Sequence, residues 1–299
     1  MSARSDAVRE RALVFDCAGE QLLGILSSPA DGRPASGIAV VLVVGGPQYR
    51  VGSHRQFTLL ARTLAARGHH CLRFDYRGMG DSTGASRDFL QVEADIESAL
   101  ATLRMQVHGL RRVVLWGLCD AASAILLHLD AMGAQANVDG IVLLNPWVRS
   151  DEGLARTQVK HYYAQRLREK EFWLKLLSGK TGLRALAEFL GKLRQVLIAR
   201  PSQVKAQDQQ LSYQQRMARA LRAFPGPVLL LLSGDDFVAK EFLDHTASAP
   251  AWQGLLDRSG VERHDLVGMD HTFSRASWRD DVATLTASWI ERLPGLRGR

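Results

Sequence analysis

Two hydrophobic rhythms take turns along this chain. Residues 11–28 carry RALVFDC and QLLGILSS on either side of Ala18-Gly19-Glu20, a layout that predicts an antiparallel hairpin. Residues 37–46, GIAVVLVVGG, are continuously apolar and end in glycines, as expected of a strand buried on both faces. Apolar runs at 69–76, 112–116, 140–144, 227–232 and 261–267 predict five more strands. Between them lie apolar residues at helical spacing: 57–67 with Gly68 as a stop, 89–107, the small-residue segment 121–131, and 281–293 bearing Trp289. Strands that alternate with helices build a parallel sheet covered by helices. The expectation is an α/β fold with a mostly parallel eight-stranded sheet and helices on both faces.

One interval breaks the rhythm. Between the strands at 140–144 and 227–232 lie roughly 80 residues that are helical in pattern and rich in Gln, Arg, Leu and Lys, too long for a bare loop. The pattern divides the chain into a core of 1–147 and 224–299 and a helical cap insertion at 148–223. Charge follows the same division. The net charge is +7, yet residues 149–222 hold 16 Lys/Arg against 6 Asp/Glu, and the remainder holds 22 against 25. The basicity belongs to the insertion, so no nucleic-acid partner is expected. The cap charges either face water or attract anions, including acyl groups on phosphorylated carriers or an anionic membrane surface.

No apolar run approaches the roughly 18 residues of a membrane span, and MSARSDAVRERALVF lacks a signal-peptide core. A cytoplasmic location is the default. Three cysteines without a CxxC pair give no disulfide framework, and no HExxH is present, so no metal is expected. Ser178-Gly179-Lys180-Thr181 ends like a phosphate-binding loop, but Leu174 stands where that loop needs a glycine.

Chemistry points to the strand at 112–116. It runs into Gly117-Leu118-Cys119-Asp120-Ala121, and a helix follows at once. This is the strand–turn–helix of a nucleophile elbow, which needs small residues two before and two after the nucleophile. Gly117 and Ala121 are small, although Ala121 stands where glycine is usual. A free thiol has a pKa near ~8.5, and a helix N-terminus or an imidazolium lowers it. Cys119 is therefore the candidate nucleophile.

The elbow predicts an acid and then a histidine further along the chain. Ser233-Gly234-Asp235-Asp236-Phe237-Val238 follows the strand at 227–232 and supplies the acid, Asp236 or, as the alternative, Asp235. His271, in Gly268-Met269-Asp270-His271-Thr272-Phe273, sits where a general base belongs. Asp270 is expected to shape that turn. The oxyanion of an acyl transfer needs backbone N–H donors. Asp120 supplies one, and Gly46 or, less favoured, Gln48 the other, because Pro47 has no N–H.

Together these residues resemble the α/β-hydrolase superfamily, and Phe74-Asp75-Tyr76-Arg77-Gly78-Met79-Gly80-Asp81-Ser82 is similar to its D-x-R-G-x-G-x-S segment. GGPQYRVGSHRQF, FDYRGMGDSTG, WGLCDAAS, SGDDFVAKEF and MDHTFS resemble the type 1 hydrolases associated with exosortase A systems. That resemblance implies a supporting role in exopolysaccharide or envelope metabolism. The expected activity is cleavage of an ester or thioester, on a small-molecule or carrier-linked acyl substrate, through a Cys-His-Asp triad without metal or organic cofactor. An acyltransferase with the same triad and a catalytically silent binding module of the same fold are the rival readings.

Overall fold

The computed structural model describes residues 7–46, 48–149 and 211–293. One sheet of eight strands runs through it: β1 Val8–Cys17, β2 Glu20–Pro29, β3 Ile38–Val43, β4 His70–Phe74, β5 Arg112–Leu118, β6 Gly140–Leu144, β7 Val228–Ser233 and β8 Val261–Leu266. Their order is β1-β2-β4-β3-β5-β6-β7-β8. β1 and β2 pair antiparallel through a two-residue turn in which Ala18 and Gly19 both have positive φ, the geometry that suits the twist of a tight hairpin. β2 also meets β4 antiparallel, and every pairing from β4 to β8 is parallel.

The strand period of two sorts the core into two layers. Ala39, Val41 and Val43 of β3 face one layer, whereas Ile38, Val40 and Leu42 face the other. The first layer is covered by α2 (Glu93–Gln106), α3 (Asp120–Met132), α4 (Tyr213–Ala223) and α5 (Phe237–Ser248). The second is covered by α1 (Gln56–Ala66) and α6 (Ala276–Glu291). All six residues of β3 and all six of β7 are buried, which explains their unbroken apolar sequence. The edge strands β1 and β8 instead carry exposed charged residues, among them Arg9, Arg11 and Asp265, which discourage pairing with another sheet.

The chain divides into two compact units, Met1–Val148 with Ser212–Arg299, and Arg149–Leu211. This corrects the sequence-based boundary at 223, because α4 belongs to the core unit. Met217 and Ala218 are fully buried. Arg216 and Arg219 bind Asp130 of α3, and Ser212 and Gln215 form a capping box at the start of α4. Its basic face gave it the look of the insertion, while its apolar face packs on α3. The rest of the expected cap, with the bulk of the basic charge, lies outside the described residues. Among the described residues no helix is long and apolar enough to cross a membrane.

Candidate active site

β5 ends at Leu118 and α3 begins at Asp120, so Cys119 alone makes the corner. Its φ of 63° and ψ of −126° lie where non-glycine residues are rarely found. The corner is held by its backbone. The Cys119 N–H donates to the Leu144 carbonyl at 2.8 Å, and the Cys119 carbonyl accepts from Trp147 N–H at 3.3 Å. The crowding accounts for the small neighbours. A Cβ on Gly117 would lie 2.8 Å from the backbone of Ala121, and one on Gly45 would lie 3.0 Å from the Ala121 methyl. Ala121 therefore fits where glycine is usual because Gly45 passes over it without a side chain.

The acid and the histidine meet because β7 and β8 are tied beyond their ends. Gly234 N–H donates to the Leu266 carbonyl at 2.8 Å, and Asp235 N–H donates to the Met269 carbonyl at 3.0 Å. The Asp235 side chain is exposed, whereas Asp236 is buried. His271 Nδ1 donates to Asp236 Oδ2 at 2.6 Å, and the ring lies near enough to the Cys119 side chain for the two to interact electrostatically. Burial works against charge on this ring. The hydrogen bond to Asp236, its charge and the neighbouring Cys119 side chain nevertheless push the ring's pKa up to about 10. Asp270 does shape the turn, accepting from Thr272 N–H at 3.0 Å and Ser274 N–H at 3.1 Å.

Gly46 and Asp120 are also brought together, though not as two donors facing open space. The Gly46 N–H donates to Asp120 Oδ2 at 2.8 Å, so a side chain already occupies the N–H expected to bind an oxyanion. Gln48 turns its side-chain oxygen back to Ser53 N–H. Cys17 and Cys71 are buried, and burial pushes the Cys71 thiol well above the ordinary thiol range.

The sequence reading overlooked the scaffold that aims the loop after β3. Asp75, fully buried at the end of β4, accepts from Arg50 N–H at 2.6 Å, from the Arg50 guanidinium and from Asp81 N–H at 3.1 Å. A Cβ on Gly80 would fall 2.2 Å from Asp75 Oδ2. Arg77 grips buried Asp95 through Nε and Nη2, and Ser82 Oγ donates to the Asp75 carbonyl. The D-x-R-G-x-G-x-S segment is thus a structural knot, and the regular spacing of its glycines and charges was the available signal. Nothing in the sequence marks Asn145, whose side chain clasps Ser233 across the ends of β6 and β7.

The profile of the Alpha/beta hydrolase family matches residues 40–291. The chain belongs to the alpha/beta hydrolase family. Its fold is similar to that of the Pyrococcus furiosus esterase Pf2001, with a TM-score of 0.63 and 14% identity over 99% of this chain and 97% of that one. It is also similar to XC6422 from Xanthomonas campestris, described as an a/b serine hydrolase without lid, with a TM-score of 0.57 and 14% identity over 96% of both chains. The quorum-quenching protein AidA of Acinetobacter baumannii (strain MDR-ZJ06) is 33% identical over 89 residues, a match that spans 28% of this chain and 29% of AidA. This alpha/beta hydrolase thus has an esterase- and hydrolase-like fold. Its elbow, acid turn and histidine turn all lie at the C-terminal ends of β5, β7 and β8, where open parallel sheets place their sites.

Proposed function

We propose that this alpha/beta hydrolase cleaves esters or thioesters through Cys119, His271 and Asp236. The single observation that carries the reading is the 2.6 Å hydrogen bond from His271 Nδ1 to buried Asp236, on a ring that interacts with the Cys119 side chain. His271, held by Asp236, takes the Cys119 thiol proton as general base. The sulfur attacks the acyl carbon, a C–S bond forms, and the carbonyl electron pair moves to oxygen. Collapse of this tetrahedral species breaks the bond to the leaving group, which takes the proton from His271. A water molecule then gives a proton to His271 and attacks the thioester. Breakage of the C–S bond releases the acid and restores the thiolate. The Asp120 and Gly46 N–H groups serve the oxyanion in both steps. The resemblance to type 1 hydrolases of exosortase A systems fits a supporting role in exopolysaccharide or envelope metabolism.

The test is a panel of p-nitrophenyl esters and acyl thioesters of increasing chain length. Cys119→Ala is expected to lose roughly 10³-fold or more of kcat/KM on any substrate turned over. An alanine variant as active as the parent protein would falsify the mechanism.

A further inference from the structure

The acyl chemistry above leaves one charged group beside the nucleophile unused. The Asp120 side chain folds back over the start of α3, where Gly46 N–H donates to its Oδ2 at 2.8 Å. Its Oδ1 is buried and has no hydrogen-bond partner among the described residues. Gly45 makes the room, since a Cβ there would fall 2.0 Å from that oxygen. Burial outweighs the Gly46 amide and the charge of His271 and holds the carboxyl pKa above the ordinary aspartate value. The Gly46 N–H that an acyl oxyanion would require is therefore already taken by this carboxyl group.

We propose that the Asp120 carboxylate is a resident occupant of the oxyanion site, which a substrate must displace before Cys119 can be acylated. The proposal rests on the triad reading above. Two negative oxygens cannot share the Gly46 N–H, and the donors are fixed in the backbone while the carboxylate rotates about its own side-chain bonds. Displacement draws on binding energy from parts of the substrate remote from the reacting carbonyl. A small ester lacks such parts and meets a closed site, whereas a large, well-anchored acyl substrate opens it. Asp120 in this way determines specificity, discriminating against stray small esters.

Two reagents separate this proposal from the triad reading. p-Nitrophenyl acetate acetylates sulfur by forming a C–S bond and releasing p-nitrophenolate, and its carbonyl oxygen passes through an oxyanion. Iodoacetamide alkylates the thiolate at a saturated carbon, releases iodide and makes no oxyanion. Asp120→Ala is expected to speed acetylation of Cys119 by about tenfold, the factor that corresponds to about 1.4 kcal/mol, and to change iodoacetamide alkylation far less. Asp120→Asn keeps the shape without the charge and is expected to give a smaller gain in the same direction, so it decides the matter if the alanine variant fails to fold. Acetylation equal to or slower than the parent's in the folded variants, with alkylation still selective for Cys119, would overturn the role of Asp120 alone. Alkylation spread evenly over Cys17, Cys71 and Cys119, or unaffected by His271→Ala, would sink the triad and this proposal with it.

Discussion

Asp236 serves two structures with one carboxylate. Oδ1 accepts from Val238 N–H at 3.0 Å and caps α5, while Oδ2 accepts from His271 Nδ1 at 2.6 Å. Its neighbour Asp235 contributes only backbone to the turn and leaves its side chain in solvent. Asp236→Asn is therefore expected to lower kcat/KM by about 10³-fold or more, and Asp235→Ala to stay within about threefold of the parent. Comparable losses in both variants would refute the assignment of the acid. The same pair sets a pH signature. His271 titrates at about 10 against an ordinary 6.5. The stability gained from its proton is complete below about pH 6.5 and is lost as pH rises through 10. The gap in urea midpoint between parent and Asp236→Asn should be wide near pH 6 and narrow towards pH 10. A gap that does not change with pH would mean that the ring carries no charge.

At the scale of elements, the ends of β6 and β7 depend on a clasp. Asn145 Nδ2 donates to Ser233 Oγ at 3.0 Å, Ser233 N–H returns a bond to Asn145 Oδ1 at 2.8 Å, and both residues are buried. Asn145 also has a φ of 44°, a conformation that asparagine tolerates better than most residues. Asn145→Ala strands a buried N–H and strains the backbone, so a loss of about 2 kcal/mol in urea denaturation is expected. A loss under about 0.5 kcal/mol, the range of an ordinary surface substitution, would show that the clasp is replaceable. Such a clasp is invisible in the sequence because an asparagine after a strand reads first as a turn former. The strands themselves were legible. Burial on both faces leaves an unbroken apolar run, and the positions read as strands at 37–46, 112–116 and 227–232 are β3, β5 and β7. Helices were less so. The start of α2 slips to Glu93, because Phe89 packs edge-on against Tyr213 outside the helix. Arg216, Arg219 and Arg222 made α4 look like part of the basic segment, although Met217 and Leu221 mark its buried stripe.

Over the whole molecule, three residues far apart in sequence converge because parallel strands deliver their C-terminal ends to one side of the sheet. The order Cys119, Asp236, His271 along the chain therefore follows the order of β5, β7 and β8. The orientation of the loop after β3 is not readable from the chain alone, because it depends on an ion pair formed across the fold. Arg50 reaches back from that loop to Asp75 at the end of β4 and to Asp81 at 2.6 Å. Arg50 is mostly buried and Asp75 wholly so. Asp75→Ala leaves mostly buried Arg50 only Asp81 as an ionic partner and strips the acceptor from the Arg50 and Asp81 N–H groups, so it should cost about 2 kcal/mol of stability. Its effect on chemistry should be selective. The loop carries Gly46, the proposed oxyanion donor, whereas Cys119 and His271 follow β5 and β8. In the folded variant, ester acylation should fall by about tenfold or more, while iodoacetamide alkylation of Cys119 stays closer to the parent rate. Asp75→Asn, which retains acceptors for the Arg50 and Asp81 N–H groups, should recover part of the acylation rate. Equal losses with both reagents would instead mean that the Arg50–Asp75 pair supports the elbow itself, and that the loop and the nucleophile move as one body.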